Sequence, residues 1–128
     1  IMQIGDLLNN GEKHDGRAPD YDDWSLNGDL LMWSDALDTA IELSSMGIRV
    51  DSEALISQLE KAGCNERLAF DYHSKIASGV LPLTIGGGLG QTRICMIMLD
   101  KVHVGEAQCS IWPDEMIEKC KKAGIELL

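Results

Sequence analysis

The chain has 128 residues, 45% of them hydrophobic and 25% charged, the composition of an ordinary water-soluble domain with enough apolar side chains to build a core. Its net charge of −10 argues against a surface that grips nucleic acid by the backbone, because such surfaces are basic. A local cationic pocket is still allowed, since net charge describes solubility and association rather than one site.

No apolar run approaches the length of a membrane span and no signal peptide is visible, so a cytoplasmic protein without membrane contact is expected. The four cysteines, Cys64, Cys95, Cys109 and Cys120, form no C-x-x-C pair and are read as reduced thiols. Cys95 stands in an apolar run and is expected to be buried. The first residue is Ile1, and the chain reads as part of a longer protein.

Residues 1–4 suggest the end of a strand, and Asn9-Asn10-Gly11 in the polar stretch 6–15 a turn. The segment RAPDYDDW at 17–24 is rich in charge, and Pro19 excludes a helix interior. Asn27-Gly28 reads as a second turn. Residues 29–33 and 37–50 are expected as strands. The second is ambiguous by periodicity, but Ser44, Ser45 and Gly47 favour strand over helix. Asp51 caps a helix with Leu55, Ile56 and Leu59 as its apolar stripe, and Gly63 ends it. Asn65 opens another, marked by Leu68, Tyr72, Ile76 and the stop at Gly79. A strand at 82–85 runs into the glycines. A helix follows over 91–101 with Ile94, Met98 and Leu99 inward, then loop or edge strand over 103–111. A last helix runs from Pro113 to Ala123. Helices grouped rather than alternating with strands predict an α+β fold with an antiparallel sheet.

The segment LTIGGGLGQTR at 83–93 carries the most chemistry. It reads as strand, glycine turn and helix start with Arg93 in the first turn. A helix start favours an anion, and a guanidinium fork suits phosphate oxygens. The spacing fits neither a dinucleotide fingerprint, because Gln91 stands where the third glycine belongs, nor a phosphate loop with Gly-Lys-Ser/Thr. A tight turn beside an incidental arginine is the alternative. Glu42 and Ser44 share a strand face that could serve Mg²⁺ against a nucleotide, or be polar decoration. Asp20, Asp22 and Asp23 beside Arg17 could serve a metal, a substrate ammonium or a solvated loop. His14, His73 and His103 have neither ligand spacing nor a paired nucleophile and are given no catalytic role.

Five motifs, RAPDYDDW at 17–24, LNGD at 26–29, ELSSMGIRVD at 42–51, GGGLGQTR at 86–93 and SIWP at 110–113, occur in one order. Together they closely resemble the C-terminal part of the ammonia-dependent asparagine synthetases, the aspartate–ammonia ligases, over nearly the whole chain. The resemblance implies a core like that of the class II aminoacyl-tRNA synthetases, an antiparallel sheet flanked by helices, with residues 1–128 as the C-terminal portion of one catalytic domain. It implies synthesis of asparagine from aspartate, ammonia and ATP, with release of AMP and pyrophosphate, by a homodimer using Mg²⁺. Carried over by position, Arg93 clamps ATP phosphates, Glu42 and Ser45 lie at nucleotide and metal, and Asp22 lines the AMP site. Arg49 faces aspartate, and Gly86 and Gly87 let the chain pass close to the ligands. The family's N-terminal part, with its dimer motif, is absent. Trp24-Ser25 also runs into Leu26-Asn27-Gly28 sooner than in the family, where a glycine-containing loop stands; either the loop is shorter here or its residues are missing from this sequence, and the second is expected. A tRNA synthetase core of the aspartyl or asparaginyl type and a non-catalytic ATP-binding paralogue are the alternatives.

Overall fold

The computed structural model describes residues 1–12, 14 and 16–128, so residues 13 and 15 of the polar stretch lie outside the description. Three strands, β1 (Asp22–Ser34), β2 (Thr39–Arg49) and β3 (Ile85–Leu89), form an antiparallel sheet in that order. Among the described residues the α-helices are α1 (Ser52–Ala62), α2 (Asp71–Ala77), α3 (Gln91–Met98) and α4 (Asp114–Lys122). The expected α+β class is therefore observed. The chain divides into two compact units, one of Ile1–Asp29 with Ser45–Gly88, the other of Leu30–Ser44 with Leu89–Leu128.

In the first unit, local signals set α1. The Asp51 carboxylate accepts from the Ala54 N–H at 2.8 Å, and Gly63 closes the helix at φ +69°. Leu55 and Leu59 are fully buried with Val50, and Ala54, Cys64, Leu68 and Ile76 pack against them. Ile56, expected on that stripe, is 45% exposed. The second expected helix is broken. Asn65–Ala69 is a 3-10 turn, Phe70 is extended (ψ 146°), and α2 restarts at Asp71. Tyr72 is exposed, whereas Gly79, at φ +69°, ends the segment as its position suggested.

Asn27-Gly28 is not a turn but the interior of β1. The Asn27 side chain accepts from the Ile4 N–H at 2.8 Å and donates to the Ile4 carbonyl at 2.7 Å, and Met2 bridges Gly28. The N-terminal segment thus pairs with β1, and a Cβ at Gly28 would stand 3.0 Å from the Ile1 carbonyl oxygen. The turn at Gly11 forms as expected, its N–H bonded to the Leu8 carbonyl.

The glycines after Thr84 are also not a turn. They are β3 itself, registered against β2 by the Arg49 N–H donating to the Thr84 carbonyl at 2.9 Å. A Cβ at Gly87 would come within 2.8 Å of the Met46 Cβ directly across. That register sets Gly86 opposite Gly47.

In the second unit, β1 turns into β2 over residues 35–38, with Asp38 at φ +49°. The strand expected over 37–50 is observed over the shorter range Thr39–Arg49. Helix α3 buries Met96, while Met98 is 79% exposed and Leu99 is also open, opposite to the expected face. Cys95 is exposed rather than buried, and all four cysteines are free thiols. Pro113 opens α4 as predicted, and Cys120 is its buried residue.

Candidate active site

In the first unit, three side chains from β1 and β2, those of Asp22, Asp29 and Ser45, converge on Arg17. Its guanidinium is buried. Nη1 donates to Asp22 Oδ2 at 2.9 Å, and Nη2 donates to Asp29 Oδ1 at 2.5 Å and to the Ser45 hydroxyl at 2.6 Å. Asp22, only 1% exposed, uses its other oxygen to accept from Arg49 Nη1. Alternation puts Ser45, Gly47 and Arg49 on one face of β2. Gly47 supplies the room for this pairing, because a Cβ there would lie 2.7 Å from the Asp22 carboxyl carbon.

Arg49 is held from three directions. Asp22 takes one nitrogen, the Tyr21 ring centroid lies 5.5 Å from its guanidinium carbon, and Gly86 lies against the guanidinium so closely that a Cβ would overlap it. The opposed glycines, Gly47 and Gly86, make a flat floor on which the carboxylate and the guanidinium rest. Arg49 keeps a 30% exposed side chain and borders a cavity of about 450 Å³ lined also by Ser52, Tyr72, Ile76, Leu81 and Thr84. That volume lies in the range of small-molecule sites. A guanidinium fixed in this way presents its remaining donors to a carboxylate or phosphate at little ordering cost.

Gln58 on α1 anchors the backbone around Asp22. Its Oε1 accepts from the Trp24 N–H at 2.8 Å, and its Nε2 donates to the Pro19 and Asp22 carbonyls at 2.9 and 3.0 Å. The three aspartates of RAPDYDDW do not form one centre. Asp20 pairs with Arg67 and His73, Asp22 with the two arginines, and Asp23 accepts from the Ser25 N–H and hydroxyl. His73 is buried in this pairing.

In the second unit, α3 starts at Gly90 with no side-chain cap, and the Gly90 N–H donates to the Leu43 carbonyl at 2.7 Å. Arg93, in the first turn, donates from Nη1 to the Glu42 carbonyl at 2.9 Å and lies 3.7 Å from Glu42 Oε1. Both side chains are about half exposed, so each keeps an open edge. Ser44, expected beside Glu42, is buried, which leaves Glu42 as the open group of that pair. Among the described residues no group of three His, Cys, Asp or Glu side chains converges on a metal position. A single open carboxylate fits an ion such as Mg²⁺, which takes one or two carboxylates together with substrate phosphates.

The structure therefore brings Asp22, Ser45, Arg49 and Gly86 together in one unit, and Glu42 with Arg93 in the other. Gly87 is committed to the β2 backbone. Sequence reasoning set Arg17 beside the aspartates without its burial, and missed Asp29, Gly47 and Gln58. The only signal for Arg17 and Gln58 is burial, which the local sequence does not express.

The sequence pattern of the aspartate-ammonia ligase family matches residues 1–124. The chain belongs to that family. It is 59% identical over 128 residues to an aspartate–ammonia ligase of Ligilactobacillus salivarius, which covers all of this chain and 38% of the relative. It is 57% identical over 128 residues to the one of Clostridium tetani, again all of this chain and 38% of the relative. It is 61% identical over 127 residues to the one of Bacillus cytotoxicus, 99% of this chain and 39% of the relative. The chain thus spans about two fifths of the length of these relatives, in their C-terminal part. A match of 128 positions across 128 residues leaves no room for an extra loop after Ser25, and β1 runs through that point without interruption. The loop expected there is not missing relative to the Ligilactobacillus ligase. Among the described residues no helix is long and apolar enough to cross a membrane.

Proposed function

We propose that the full-length protein is an ATP-dependent ligase that makes asparagine from aspartate and ammonia. The observation that carries this reading is Arg49, a guanidinium fixed on three sides and opening onto a cavity of about 450 Å³, in a chain whose relatives are named aspartate–ammonia ligase. Arg49 reads an aspartate carboxylate. Asp22 holds Arg49 in register and Ser45 closes the polar face of β2. Gly86 gives Arg49 its bed.

Arg93 and Glu42 serve the nucleotide. At an uncapped helix start, Arg93 stabilises the negative charge of the ATP phosphates, and Glu42 is the residue that would hold Mg²⁺. Mg²⁺, when bound, neutralises phosphate charge. The aspartate β-carboxylate attacks the α-phosphate of ATP and pyrophosphate leaves. Ammonia attacks the acyl carbon of the β-aspartyl adenylate, and AMP leaves with the carboxylate oxygen. Such phosphoryl chemistry depends on positioning and charge stabilisation more than on acid–base groups. A class II synthetase-like core, a homodimer and a cytoplasmic location complete the proposal.

Purified full-length protein incubated with ATP, Mg²⁺ and aspartate, with and without ammonium, tests it by mass spectrometry. Asparagine and AMP formed in step, and only with ammonium, is the expected result. Pyrophosphate exchange without asparagine would point instead to a core that waits for tRNA.

A further inference from the structure

The ligase reading assigns no task to Arg17, although its side chain is 5% exposed and engages Asp22, Asp29 and Ser45 at once. A buried guanidinium costs free energy unless it is fully paired, and here two carboxylates and a hydroxyl are committed to pairing it. We propose that Arg17 is a positioning residue for aspartate recognition, acting through Asp22 on Arg49. The proposal rests on the ligase reading.

The geometry states how. Asp22 has one oxygen on each arginine. A carboxylate left to itself prefers to grip one guanidinium with both oxygens. If Arg17 released Oδ2, Asp22 would rotate onto Arg49 and occupy donors that the substrate carboxylate needs. Arg17 therefore restricts Asp22 to a one-oxygen contact and keeps the rest of the Arg49 fork open. Charge adds to this. Arg17 and Arg49 balance Asp22 and Asp29, so losing the Arg17 charge would leave an excess negative charge beside an incoming carboxylate. The same guanidinium fixes the Ser45 hydroxyl on the face that Arg49 shares.

Arg17→Lys keeps the charge and loses the fork, so it cannot hold Asp22, Asp29 and Ser45 together. In the full-length protein the aspartate KM should rise about tenfold, the size of one charge-assisted contact, with the ATP KM within about twofold. Calorimetric titration with aspartate should show the same weakening without turnover. Combined with Arg49→Lys, the Arg17→Lys change should add less than about twofold, because the group it positions is already lost. Equal rises in both KM values, an unchanged aspartate KM, or full multiplication with Arg49→Lys would overturn the proposal. If Arg17→Lys does not fold, Asp29→Ala removes the outer anchor and leaves Asp22 and Arg49 in place. It should raise the aspartate KM about threefold, a partial loss of one such contact, and no change would overturn the proposal. Wild-type protein that binds aspartate without making asparagine would overturn the ligase reading alone, with the binding arm still deciding on Arg17. Wild-type protein that does not bind aspartate would overturn both.

Discussion

The guanidinium of Arg49 lies on the backbone of Gly86, where a methyl group would overlap Nη2. The two residues come from neighbouring antiparallel strands. The glycine is there because the arginine needs the space above it.

This relationship makes Gly86→Ala an informative change. The new Cβ displaces Arg49 from its contacts with Asp22 and Tyr21 while leaving Arg93 untouched. Loss of one charge-assisted contact predicts a rise in aspartate KM of about tenfold or more. Steady-state kinetics with aspartate as the varied substrate checks it, and an unchanged KM would show that Arg49 does not read the substrate.

Arg93→Ala removes the cation at the start of α3. By analogy with the removal of other charge-stabilising donors, turnover should fall by about 10²-fold or more. Arg93→Lys should recover only part of it, because the planar fork is lost. Wild-type-like turnover in the alanine variant would sink the assigned role.

Gln58→Ala leaves the Trp24 N–H and the Pro19 and Asp22 carbonyls without their buried partner. Stranding buried polar groups costs about 1–3 kcal/mol each when they stay dry. A net loss of about 2–4 kcal/mol in urea unfolding is expected. A loss under about 1 kcal/mol would show that water replaces the amide.

Asp20 predicts an acid-labile contribution to stability. Partial burial pushes its carboxyl up, but hydrogen bonding to His73 and Arg67 outweighs burial and holds it below the ordinary value. A carboxylate with a depressed folded pKa stabilises fully above its unfolded pKa of roughly 3.9 and loses that stabilisation as pH falls through the folded value. The stability difference between wild type and Asp20→Asn should therefore be flat in its Asp20 part above about pH 5 and shrink below about pH 4. Urea midpoints measured across that range check it, and a difference that survives at the lowest pH would contradict it.

Much of this was legible where the signal is local. Asp51 and Gly63 frame α1 because capping and a left-handed stop depend on neighbours in sequence. Ser44, Ser45 and Gly47 rightly excluded a helix. The glycines at 86–88 were misread as a turn because glycine reports a close approach without saying what approaches, and here the neighbour is β2. Asn27-Gly28 failed for the same reason, its neighbour being the N-terminal segment. The inward face of α3 was misassigned because Ile94, Met96, Ile97 and Met98 are apolar on several sides, which leaves no stripe to choose. Arg17 was read only as a charge in an acidic loop. Its burial depends on Ser45, 28 residues away, and no spacing rule expresses that.

Oxygen transfer tests the central claim most directly. Aspartate labelled with ¹⁸O in both β-carboxylate oxygens is given to the full-length protein with ATP, Mg²⁺ and ammonium. If the carboxylate attacks the α-phosphate and ammonia then cleaves the acyl–oxygen bond, AMP carries one ¹⁸O and asparagine keeps the other. Unlabelled AMP, or label in orthophosphate released beside ADP, would contradict the account.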